Sequence, residues 1–212
     1  MGKEISKSKF SQRDFERFHV RLLEEMEHLR QLFAENRFVS GHEVGGFELE
    51  AWLIGRDMQP AAINHEFISR LNNPLVVHEL SRFNVELNSP PHELKNTALS
   101  RMQKDLELLW QTCNDTAATM DARLMMTGTL PVLDDSALVM ENMSEVERYR
   151  ALNEQVLKLR QGRPIVLDIR GRERLQSIHQ DVMLEAAATS FQVHLQIPLK
   201  GSVRYYNASV LS

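Results

Sequence analysis

The chain has 212 residues, 42% of them hydrophobic and 25% charged, the make-up of a soluble globular protein with room for one large domain or two small ones. A net charge of −4 offers no broad basic surface and argues against nucleic acid as a partner. One cysteine, Cys113, excludes an internal disulfide and suits a reducing, cytoplasmic setting, the polar start has no apolar core for a signal peptide, and no apolar run approaches membrane-spanning length.

The first predicted element is a helix. Ser11 caps it with Asp14 in the first turn, and Phe15, Phe18, Leu22, Met26, Leu29 and Phe33 recur at helical spacing to about Asn36. Residues 1–39 are thus expected to be a covering helix, with His19 and His28 on its surface. Gly45 and Gly46 then lead into Phe47-Glu48-Leu49-Glu50-Ala51-Trp52-Leu53-Ile54, which alternates like a strand. Asn64 is expected to cap a short helix to Leu71, and Leu75 to Leu80 is an apolar run of helix or strand. Arg82 to Asn88 alternates again and stops at Pro90-Pro91, which cannot donate to a ladder.

A long helix follows, with Leu99, Met102, Leu106, Leu109, Trp110, Cys113, Ala117 and Met120 as its inward stripe. Arg123 to Thr127 reads as a strand and Gly128-Thr129-Leu130-Pro131 as a tight loop. Ser144-x-x-Glu147 reads as a capping box for a helix with Val146, Tyr149, Leu152, Val156 and Leu159 inward. Ile165 to Ile169 is a short strand. Five arginines, Arg160, Arg163, Arg170, Arg172 and Arg174, surround it, either as an exposed basic hairpin or as holders of phosphate or carboxylate. Val182 to Thr189 is a helical turn, Phe191 to Ile197 a third alternating strand, and Gly201 to Leu211 the start of a helix.

The three alternating strands carry the chemistry. Their apolar faces are Phe47, Leu49, Ala51 and Leu53; Phe83, Val85 and Leu87; and Phe191, Val193, Leu195 and Ile197. Their polar faces carry Glu48 and Glu50; Asn84, Glu86 and Asn88; and Gln192, His194 and Gln196. In one antiparallel sheet packed on a core by one face, these polar sides form a single surface. Glu48 and Glu50 sit roughly 7 Å apart at their roots and repel one another unless a cation or shared proton intervenes. Three carboxylates and an imidazole suit Mg²⁺ or Mn²⁺, which prefer oxygen ligands and keep waters and substrate phosphates. No Gly-x-x-x-x-Gly-Lys phosphate loop, Gly-x-Gly-x-x-Gly turn, His-Glu-x-x-His helix or Gly-x-Ser-x-Gly elbow is present.

In order and spacing, Gly46-Phe47-Glu48-Leu49-Glu50, Val85-Glu86-Leu87-Asn88-Ser89-Pro90-Pro91, Gly128-Thr129-Leu130-Pro131, Arg148-Tyr149-Arg150 and Val193-His194-Leu195 resemble the glutamate–cysteine ligase type 2 family, the bacterial carboxylate–amine ligases. The resemblance covers about residues 40–212. It implies the amino-terminal part of a glutamine-synthetase-like α+β domain, an antiparallel sheet covered by helices on one face and incomplete at the carboxy terminus. It further implies an ATP-dependent ligase. The γ-carboxylate of glutamate is phosphorylated, and an amine such as that of cysteine displaces the phosphate. By motif position, Glu48, Glu50, Glu86 and His194 bind Mg²⁺ or Mn²⁺, and Asn88, Arg148 and Tyr149 bind substrate. Ser89 stands where the family has Thr, Gln192 replaces the first histidine of its His-x-His-x-Gly, and Gln196 and Ile197 replace the residues that follow the second. A missing half is supplied either by a longer chain or by another subunit in a homo-oligomer. The competing expectation is a truncated remnant that binds metal or associates with proteins. A guanidino phosphotransferase, sharing the broad fold and ATP chemistry, matches the motifs less well.

Overall fold

The computed structural model describes residues 4–211. Helix α1 (Gln12–Ala34) is followed by strand β1 (Val44–Gly55), helix α2 (Asn64–Leu71), strands β2 (Val76–His78), β3 (Asn84–Asn88) and β4 (His92–Glu93), and helix α3 (Ala98–Ala118). Then come β5 (Ala122–Met125), α4 (Glu147–Leu159), the hairpin β6 (Ile165–Arg170) and β7 (Arg174–His179), β8 (Phe191–Gln196) and α5 (Ser202–Leu211). Short 3₁₀ turns cover Met140–Asn142 and Val182–Ala187.

β1 is the centre of an antiparallel six-stranded sheet. Along one edge it pairs with β3, Glu50 opposite Glu86, and with β4 at Val44 and Gly45. Along the other it pairs with β8, Gly46 opposite His194, and with β5 over Trp52 to Gly55. β2 lies outside β3. The three alternating strands therefore share one sheet, but Phe191, Val193 and Leu195 of β8, expected on the core, are exposed, because β8 pairs with β1 beyond the part that α2 and α3 cover. Helices and antiparallel strands in this arrangement make an α+β fold.

Two cores form on opposite sides of β1. Phe47, Leu49, Ala51 and Leu53 pack with Val85 and Leu87 beneath Phe67 of α2 and Leu109, Cys113 and Ala117 of α3. Burial pushes the Cys113 thiol up to about 12, so it is an inert packing group. On the other side Trp52 and Ile54 are fully buried with Leu80, Phe83, Leu130, Leu138, Met143, Val182, Met183 and Ala186. Phe83 precedes β3 and turns away from Val85 to stack on Trp52 at 5.6 Å. The Trp52 indole donates to the Thr127 carbonyl at 2.9 Å, and Thr189 grips the same stretch through Thr127 and Gly128, which gives the Gly128-to-Pro131 loop a structural role.

Several local expectations are corrected by long-range contacts. Ser144 does not cap α4; its hydroxyl accepts from Asn64 Nδ2 at 2.8 Å and donates to the Glu79 carbonyl, and the N-cap is Val146. Asn64 is the first residue of α2, not its cap, and its buried amide ties Ser81, Asn84 and Ser144 together. Leu99 and Leu159, expected inward, are exposed because α3 and α4 reach the core only through their neighbouring faces. The stretch after Pro91 adds the short strand β4 to β1.

Helix α1 forms as its spacing predicts, with a capping box between Ser11 and Asp14. It covers no core: none of its residues is buried. The segment around its start is what meets the rest of the described chain. Glu4 accepts from the Glu147 amide at 2.8 Å, placing a carboxylate at the amino end of α4, and Lys158 lies 5.3 Å from the centre of the Phe15 ring.

Candidate functional site

The polar face of β3, β1 and β8 carries every acid and the histidine singled out in the sequence, but not as one cluster. At one end Glu48 and His194 meet, 3.3 Å apart. They line an open depression of about 200 Å³ with Gly46, Asn88, Ser89 and Gln196. The Ser89 hydroxyl accepts from the Phe47 amide at 2.8 Å, and a side chain on Gly46 would stand 3.1 Å from that oxygen. Glycine thus keeps β1 close to the turn that ends β3.

At the other end Glu50 faces Glu86 across the β1–β3 pair. Glu50 accepts from the Ser190 amide and hydroxyl, both at 2.8 Å, so the entry to β8 fixes its direction. Glu86 is buried and accepts from Asn88 Nδ2 at 2.7 Å. Asn88, expected at the substrate, therefore holds Glu86 from the side. A cavity of about 140 Å³ opens beside Glu50, lined also by Glu79, Asn84, Tyr149 and Glu185. That is below the roughly 300–1,000 Å³ of a pocket for a whole small ligand, so it has room for one reacting group rather than a nucleotide.

Glu79, just after β2, is the residue the sequence did not reveal. Burial, with the charges of Glu50 and Glu86 added, pushes its carboxyl up to about 8. At neutral pH it keeps its proton. Tyr149 lines the cavity and donates to the His78 carbonyl at 3.0 Å; burial, then the Glu79 charge, raise its pKa above the ordinary tyrosine range. Arg148 stacks on the Tyr149 ring at 4.7 Å and donates to that ring's hydroxyl at 2.9 Å and to the His78 carbonyl at 3.1 Å. His78 lies 5.9 Å from His65, and burial first, then His65 and Arg148, lower its pKa. Arg148 and Tyr149 thus form one unit, of which Tyr149 lines the cavity.

Among the described residues no three of His, Cys, Asp and Glu converge to hold a metal ion by themselves. The donor set nevertheless fits Mg²⁺, which binds through one or two carboxylates and completes its shell with water and phosphate. Three carboxylates crowded until one keeps its proton are a charge pattern that a divalent cation relieves. The arginine-rich segment forms the exposed β6–β7 hairpin, a separate two-stranded sheet in which Arg174 is paired with Asp168 at 2.8 Å.

A sequence model of the family described as glutamate–cysteine ligase family 2 matches residues 45–206, well over half of the chain. Neither the curated proteins nor the solved structures give a match. No helix among the described residues is long and apolar enough to cross a membrane.

Proposed function

This chain belongs to the glutamate–cysteine ligase family 2, a family of ATP-dependent carboxylate–amine ligases, and from that premise we propose that it joins the γ-carboxylate of glutamate to a small amine such as cysteine. The observation that carries the reading is the polar face of β3, β1 and β8, on which Glu50 and Glu86 pair across strands while Glu48 and His194 meet beside them. A carboxylate oxygen of glutamate attacks the terminal phosphorus of ATP, ADP leaves, and an acyl phosphate forms. The amine nitrogen then attacks the acyl carbon, phosphate departs, and the nitrogen loses a proton.

Such chemistry needs positioning and charge neutralisation more than a nucleophilic side chain. When bound, Mg²⁺ (or Mn²⁺) would supply positive charge to the phosphates; Glu50 with Glu86 at one end of the face, and Glu48 with His194 at the other, are the pairs that would hold it. Asn88 fixes Glu86, and Ser190 fixes Glu50. Tyr149 lines the cavity and Arg148 stacks on its ring, a cation and a hydroxyl for a substrate carboxylate. Glu79, protonated near Glu50 and Glu86, limits the negative charge that an incoming phosphate meets.

The test is Mg²⁺-dependent ADP release with glutamate and a panel of amines that includes cysteine. Release that requires both glutamate and one amine supports the ligase and identifies the acceptor. A folded chain that binds Mg²⁺–ATP without turnover favours the second reading, a binding or association module. The exposed apolar row Phe191, Val193 and Leu195 on β8 supports that alternative.

A further inference from the structure

We propose that α1 is a self-association helix, by which two copies of this chain pair antiparallel along its apolar stripe. Phe15, Phe18, Leu22, Met26, Leu29 and Phe33 fall on one side of a helix of 3.6 residues per turn, and each is between 38% and 66% exposed. A stripe of six large apolar side chains along about 35 Å of helix is more than scattered surface hydrophobicity. It also lies outside residues 45–206, so the ligase family does not account for it.

The charges beside the stripe select the occupant and its direction. Arg21 and Glu25 flank the stripe on one rim, Glu16 and Arg30 on the other. In an antiparallel pair each rim meets its own counterpart reversed end for end. That sets Arg21 against Glu25 and Glu16 against Arg30, and the two-fold axis repeats both pairs. A parallel pair sets each rim against the other one and leaves Arg21 and Glu16 without these partners. The present partner of Arg30 is Glu27 at 3.4 Å, an exposed pair on its own helix and so a weak competitor. Pairing would remove on the order of 600 Å² of apolar surface per copy, and with the flanking stems the total nears the ~1,600 Å² of a standard stable interface.

Sedimentation of the full 212-residue chain tests this, and the expected species is a dimer. Leu22→Asp with Met26→Asp should give a folded monomer, since neither side chain is buried within its own chain. Arg21→Glu alone, or Glu25→Arg alone, should weaken the dimer about tenfold, and the two together should restore it. Glu16→Cys chains mixed with Arg30→Cys chains should form the mixed disulfide, with Cys113 too buried to interfere. A monomer at all concentrations, a dimer indifferent to Leu22→Asp with Met26→Asp, or disulfides between two Glu16→Cys chains would each overturn the proposal. So would a monomer that sediments with anionic vesicles, which would assign the stripe to a lipid surface.

Discussion

The two ends of the polar face hold similar side chains in unlike surroundings. At Glu50 and Glu86 the face is roofed by the core around Trp52, and carboxylates there are crowded, partly desolvated and fixed by Ser190 and Asn88. At Glu48 and His194 the face is open on the histidine side: the His194 side chain is 53% exposed, that of Glu48 15%. The two ends therefore differ in what stands beside the acids: a core and two further carboxyl groups at one, an exposed imidazole at the other. The closed end is built to hold charge in a fixed geometry, and the open end to admit something from solution.

The largest break in this contrast comes from removing the roof. Trp52→Ala should cost about 3–5 kcal/mol in chemical denaturation, since it empties a stacked, fully buried site, and should loosen the closed end first. Glu50→Gln leaves the shape but removes a fixed charge. A fall in ADP release of about 100-fold or more, with a normal melt, is expected. An unchanged rate would remove Glu50 from the site. His194→Ala, at the open end, should weaken Mg²⁺–ATP binding only on the order of tenfold, and an effect as large as that of Glu50→Gln would erase the distinction between the ends.

The finest discriminator is pH. In the folded chain Glu79 keeps its proton up to about 8, against 4.5 as its ordinary value, so between these limits the folded state binds more protons than the unfolded one. Stability from this group is full below about 4.5 and is lost as pH rises through 8. Urea unfolding across that window should show a downward slope that Glu79→Gln flattens. An unchanged slope would mean that the acids at the closed end are not coupled.

Alternation made the sheet legible: Glu48, Glu50, Glu86 and His194 fall on one face because the strand period is two, whatever the tertiary context. What the sequence hid is what distant segments decide. Glu79 follows an apolar run, and its protonation comes first from burial and then from Glu50 and Glu86, which reach it only through the sheet. Ser144 has the spacing of a helix cap, but the Glu79 carbonyl and the Asn64 amide claim its hydroxyl. Which end of the face would be roofed depends on how the 130–143 stretch and the 182–187 turn fold over Trp52. Local pattern has no access to that. The helical spacing of α1 was legible too, but spacing cannot say whether a stripe meets its own chain.

The pairing of β1 with β8 joins parts of the chain about 140 positions apart, as the Ser190–Glu50 contact shows, whereas β3 lies within one short excursion of β1. Closing the longer loop costs more entropy, and contacts of that kind form late. During synthesis the Glu50–Glu86 pair can therefore exist while the strand that brings His194 is still unmade. The chain would spend part of its early life with a half-assembled face and a bare β1 edge. Slower native-state hydrogen exchange of β3 amides than of β8 amides would record that order in the mature protein.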